Sequence, residues 1–123
     1  MKIIVARYNE DISWTSELEN VTIFNKGDYL ENTIQMSNVG REGHTYYKFL
    51  VDNYENLEDN YCFLQGFPFD HSPNIIENIN SYVPNENTKY HSLCEKFYIP
   101  DLMNSPVSFS REFIKMYKKV IWR

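Results

Sequence analysis

Three short runs of apolar residues organise the chain: Ile3-Ile-Val-Ala6, Val21-Thr-Ile-Phe24 and Tyr61-Cys-Phe-Leu64. Continuous apolar runs of this length suit strands buried on both faces, as in a parallel sheet. The first run ends in the polar loop Arg7-Tyr8-Asn9-Glu10-Asp11, and Asp11 is placed to cap a short helix with Trp14 and Leu18 on one face. The second stops at the turn signal Asn25-Lys26-Gly27. Residues 28–39 fit neither period and read as irregular, with room for one helical turn. From Gly43 onward, Tyr46, Phe49, Leu50 and Tyr54 recur at helical spacing and predict an amphipathic helix. A polar turn over 53–60 separates it from the third run. Asp70 to Pro73 breaks the chain again, and Asn74 is placed to cap a short helix carrying Ile75, Ile76 and Ile79.

Beyond residue 83 the signals thin out. Pro84, Pro100 and Pro106 predict loops, with one short strand near 96–99. A last helix is predicted after Ser110, where Phe113, Met116, Tyr117, Val120 and Ile121 repeat at helical spacing. Lys118, Lys119 and Arg123 complement its C-terminal dipole. Strands separated by helical segments define an α/β class with a parallel sheet. A chain of 123 residues predicts a single domain over 1–123.

Composition narrows the function. A net charge of −5 argues against a nucleic-acid partner. A nucleotide remains compatible, because it needs only a few local donors. Two cysteines, Cys62 and Cys94, build neither a disulfide framework nor a zinc site. No apolar run is long enough to span a membrane. The start of the chain reads as a strand rather than a signal peptide, so a cytoplasmic protein is expected.

Three polar segments can carry chemistry. In Asn38-Val-Gly-Arg-Glu-Gly-His44, a helix start flanked by glycines offers N–H groups to phosphate, and Arg41 offers a bidentate fork. The bland alternative is a capped loop whose Arg41 pairs with Glu42 or Asp52. In Gln65-Gly-Phe-Pro-Phe-Asp-His71, oxygen and imidazole groups just past a buried strand can hold Mg²⁺ or Mn²⁺; the alternative is an ordinary turn set by Pro68. In the loop after the first strand, Tyr8 can stack on a base, Asn9 can bond its edge and Glu10 can bond a ribose hydroxyl. Here the alternative is a helix-capping turn. No Walker-type loop, no GxGxxG and no nucleophile elbow is present.

The segments Val5-Ala-Arg-Tyr-Asn-Glu-Asp11, Asn38-Val-Gly-Arg-Glu-Gly-His-Thr-Tyr46 and Phe63-Leu-Gln-Gly-Phe-Pro-Phe-Asp-His71 resemble the uncharacterised family DUF3431. The tail Phe109-Ser-Arg-Glu112 followed by Tyr117 is similar to that family's ending. The family in turn resembles a reduced GT-A glycosyltransferase. The resemblance implies a compact Rossmann-like GT-A-type sheet with flanking helices, truncated on the acceptor side. It implies Arg7, Tyr8 and Asn9 as nucleotide contacts and Asn38 and Arg41 as donor contacts, with His44 beside them. Gln65 falls where the first acidic residue of a metal-binding Asp-x-Asp motif is expected, and Asp70 and His71 are the nearest substitutes as ligands for Mn²⁺ or Mg²⁺.

The expected activity is transfer of a sugar from a nucleotide-diphosphate donor, UDP-sugar foremost, to a glycan or other hydroxyl acceptor. The leaving diphosphate would be stabilised by a metal at Asp70 and His71 or by Arg41 and Arg111. Glu112 and Asp101 are the candidate general bases. The alternatives are a non-catalytic nucleotide-sugar or glycan binding module and a metal-dependent nucleotide-sugar hydrolase.

Overall fold

The computed structural model describes residues 1–58, 60–87 and 89–95. Within them the chain builds a four-stranded parallel sheet from β1 (Lys2–Arg7), β2 (Val21–Asn25), β3 (Ile34–Gln35) and β4 (Tyr61–Gln65). Two α-helices, α1 (Arg41–Asp52) and α2 (Ile75–Ser81), accompany it. The spatial order is β3-β2-β1-β4. The chain thus moves outward from β1 to β3 and then returns past β1 to β4. That reversal makes the gap between β1 and β4 the switch point of the sheet, where open α/β folds leave a crevice at the carboxyl ends.

Both faces of the sheet are covered, as the apolar runs require. Alternate side chains of a strand point to opposite faces. Ile3 and Val5 of β1 and Cys62 and Leu64 of β4 pack with Trp14, Leu18, Ile75 and Ile79. On the other face, Phe49 of α1 meets Phe24, Tyr61 and Phe63 edge-on or tilted, with ring centroids 5.3–6.1 Å apart. Connections of one hand put the outward and the returning crossover on opposite faces, which accounts for this two-sided arrangement. Ile4 and Val5 are fully buried at the centre of the sheet.

Four sequence expectations change in detail. The segment after β1 forms only a 3₁₀ turn, Ser13–Glu17, although Trp14 and Leu18 are buried as its spacing demands. Asp11 still serves its start, accepting bonds from Ser13 N and Oγ at 2.9 Å each, and these hold its carboxyl below the usual carboxylate range. The stretch read as irregular contains β3, paired to β2 through Phe24–Ile34 and Asn25–Gln35; a two-residue strand is too short to show a period. Helix α1 begins at Arg41 rather than Gly43 and ends at Asp52. Tyr54 therefore falls outside it and is exposed, because the Asn53 side chain bonds Phe49 O at 2.8 Å and closes the helix. Asn74 precedes α2, but its side chain bonds Glu95 instead of capping. The expected strand at 96–99 and the helix after Ser110 lie outside the described residues.

Candidate functional site

A cleft of about 410 Å³ opens over the carboxyl ends of β1 and β2, lined by Ala6, Arg7, Tyr8, Glu10, Lys26, Asn38, Arg41 and Glu42. Its size falls within the ordinary range of small-ligand sites. Three elements supply it: the loop after β1, the turn after β2 and the segment opening α1. Arg7, Lys26 and Arg41 face two carboxylates, Glu10 and Glu42. The lining thus carries three cations against two anions, a positive surplus in a chain of net charge −5. An anionic ligand is the partner such a surplus favours.

The wall on the β1 side is built around Asn25, whose side chain is wholly buried. Its Oδ1 accepts from Arg7 Nη1 at 2.7 Å and from Gly27 N at 3.1 Å. Its Nδ2 donates to Asp28 O at 2.7 Å and to Gln35 Oε1 at 3.0 Å. A buried amide with all these groups satisfied fixes its surroundings. Arg7 also donates from Nε to Glu10 O and from Nη1 to Tyr8 O, 3.0 Å each. These bonds fold the loop after β1 back over its own strand. The turn after β2 presses against that loop: a side chain at Gly27 would overlap Tyr8 O, so only glycine fits there. Asp28 N adds a 2.8 Å bond to Asn9 Oδ1. Tyr8 stays half-exposed at the rim, its N–H bonded to Glu10 Oε2 at 2.7 Å.

The opposite wall is the start of α1. Gly40 and Arg41 both have left-handed backbone, with φ of 63° and 49°. Glycine adopts this region freely, whereas for arginine it costs about 1–2 kcal/mol. Such strain concentrates at functional sites and persists only where the surroundings hold it. Here the holding group is Lys26. Its ammonium donates to Val39 O and Arg41 O at 2.6 Å each and lies 3.2 Å from His44 Nδ1. Burial pulls the Lys26 ammonium below its ordinary pKa, and Glu42 partly counters that. The Arg41 side chain is exposed on the cleft wall and forms no ion pair among the described residues; it is Lys48 that pairs with Asp52, at 2.7 Å.

Of the residues proposed from sequence, Arg7, Tyr8, Glu10, Asn38 and Arg41 come together in this cleft. Asn9 lies behind it with its Oδ1 engaged by Asp28 N, and His44 backs the wall through Lys26. Gln65 ends β4 half-buried and does not line the cleft. Asp70 closes the 3₁₀ turn Pro68–Asp70 outside the lining, and His71 O accepts Glu95 N at 3.1 Å. Among the described residues no three His, Cys, Asp or Glu side chains group closely enough to hold a metal ion. Asp101, Arg111 and Glu112 lie outside the described residues. Asn25 and Lys26 escaped the sequence reading, because a buried amide and a buried lysine look like an ordinary turn signal until β1 and β2 are set side by side.

The fold and site thus define an α/β protein with a parallel sheet and a cationic cleft at the carboxyl ends of its strands. The chain belongs to the family described as "Protein of unknown function (DUF3431)", whose model matches residues 3–96. No significant match is found among curated proteins or among solved structures. No helix among the described residues is long and apolar enough to cross a membrane.

Proposed function

We propose that the cleft binds a nucleotide-diphosphate sugar and that the protein is a small GT-A-like glycosyltransferase, transferring the sugar to a hydroxyl acceptor. The observation that carries this reading is the convergence of Arg7, Arg41 and the half-exposed Tyr8 ring on one cleft. Tyr8 offers a ring for a base, and the second oxygen of Glu10 can accept from a ribose hydroxyl. Arg41 presents an unpaired fork, which suits a diphosphate. Breaking the anomeric bond places negative charge on the departing diphosphate, and a guanidinium on the cleft wall would favour that step. Glu112 and Asp101 remain the proposed proton acceptors for the attacking hydroxyl.

The test is incubation of the protein with UDP-sugars, each with and without a hydroxyl acceptor and with and without Mn²⁺. Release of UDP that depends on the acceptor supports transfer. Release without acceptor points to hydrolysis, and binding without release to a non-catalytic module. The Mn²⁺ arm reads directly whether an ion at Asp70 and His71 takes part: dependence that Asp70→Ala abolishes supports it, and ion-independent release leaves the charge to Arg7 and Arg41.

A further inference from the structure

We infer that Lys26 is a positioning residue for the anion site: it locks the backbone around Gly40 and Arg41 in its left-handed turn and so keeps the Arg41 guanidinium on the cleft wall. What Arg41 holds rests on the diphosphate reading above; the lock itself rests on geometry.

Lysine is among the side chains least often buried, yet Lys26 is only 8 % exposed. A buried ammonium is costly unless its donors are met. It has three N–H groups. Two reach Val39 O and Arg41 O, and the third faces His44 Nδ1. His44 Nδ1 accepts that third donor in the tautomer that carries its proton on Nε2. No carboxylate forms an ion pair with Lys26 among the described residues. Its charge is instead directed at the two carbonyls that flank Gly40. Those carbonyls converge on one point only because Gly40 and Arg41 both take positive φ. Gly40 O, between them, turns the other way and accepts the first helical bond from His44 N at 3.0 Å. Without the ammonium, two converging carbonyls would repel each other and the strained Arg41 backbone would relax. With all three donors in use, Lys26 has none left for a ligand. It acts through Arg41.

A double-mutant cycle separates this from a direct contact. Inorganic pyrophosphate is titrated by calorimetry into the wild type, Lys26→Met, Arg41→Met and the double variant. Each single change should weaken binding about tenfold, and the double variant should match Arg41→Met within about twofold. Multiplying losses would mean that Lys26 touches the anion itself and would overturn the inference. Hydrogen exchange of the amides at 39–42 provides a readout that needs no ligand. It should speed up in Lys26→Met while β1 stays protected; unchanged exchange there also overturns the lock. Should pyrophosphate fail to bind the wild type, the diphosphate reading falls and the exchange arm alone decides on the lock. If Lys26→Met does not fold, the wild type answers: the Lys26 ammonium should appear in ¹⁵N–¹H spectra as a slowly exchanging group, and a solvent-averaged signal would contradict the lock.

Discussion

Asn25 Oδ1 and Arg7 Nη1 lie 2.7 Å apart behind the cleft wall, and this bond joins the ends of β1 and β2. Replacing Asn25 by Leu keeps the approximate volume and removes both polar ends of the amide. It takes one hydrogen-bond partner each from Arg7 Nη1, Gly27 N, Asp28 O and Gln35 Oε1 at once. Loss of a buried, fully engaged polar side chain of this kind costs about 2–4 kcal/mol. The expected result is a lower urea midpoint with an unchanged slope. A midpoint within error of the wild type would show that the hub is not what orders these loops.

Arg41 should separate stability from binding. Glycine at this position relieves the left-handed strain, partly offset by the freer unfolded chain, so Arg41→Gly should leave stability equal or raise it by up to about 1 kcal/mol. The same change removes the unpaired guanidinium and should weaken pyrophosphate binding at least tenfold, to judge from charge-assisted pairs elsewhere. Thermal unfolding and calorimetry on the one variant test both halves. A loss of stability would mean that the Arg41 side chain supports the fold instead.

Thr45 is wholly buried in α1, and its hydroxyl finds no hydrogen-bond partner among the described residues. The carbonyl one turn back belongs to Arg41 and is already engaged by Lys26. Thr45→Val keeps the shape and removes the stranded hydroxyl. It should raise stability by about 1 kcal/mol, seen as a higher unfolding midpoint. Destabilisation would reveal a partner for the hydroxyl.

Alkaline pH should loosen the fold from within. Burial pushes the Cys62 thiol up from 9.0 to about 11, and burial, with Glu42 adding to it, also pushes the Tyr46 hydroxyl upward. Both groups hold their protons more tightly folded than unfolded. For Cys62 the stabilisation is therefore complete below about pH 9 and is lost as the pH rises through about 11, while for Tyr46 the loss sets in at higher pH. For Cys62 alone the loss is on the order of 2 kcal/mol. Urea midpoints between pH 8 and 11 should fall, and Cys62→Ala should flatten the slope even though it lowers the starting value. An equal slope in the variant would assign the effect elsewhere.

Much of the sheet was legible because strands covered on both faces leave short runs that are mostly apolar. Ile3–Ala6, Val21–Phe24 and Tyr61–Leu64 each sit within a strand extended by one or two residues. β3 was not legible, since Ile34 and Gln35 are both exposed and too few to show alternation. The polar ends of the strands were legible as loops with chemistry, and Arg7, Tyr8, Glu10, Asn38 and Arg41 do share a cleft. Their supports were not. The tasks of Asn25 and Lys26 depend on which strand lies next to which, and nothing within a few residues of either encodes that. The segment with Asp70 and His71 shows the converse: it follows a buried strand, as a ligand loop should, but its turn bonds to Glu95 and stays outside the cleft lining.

The proposed occupant of the cleft is a nucleoside diphosphate, and calorimetric titration of UDP into the full chain, with and without Mn²⁺, decides on it. Saturable binding at one site, weakened at least tenfold by Arg41→Gly in the better of the two conditions, is the outcome expected of a guanidinium bound to a diphosphate. The absence of heat with UDP and with the other nucleoside diphosphates, in both conditions, would contradict it.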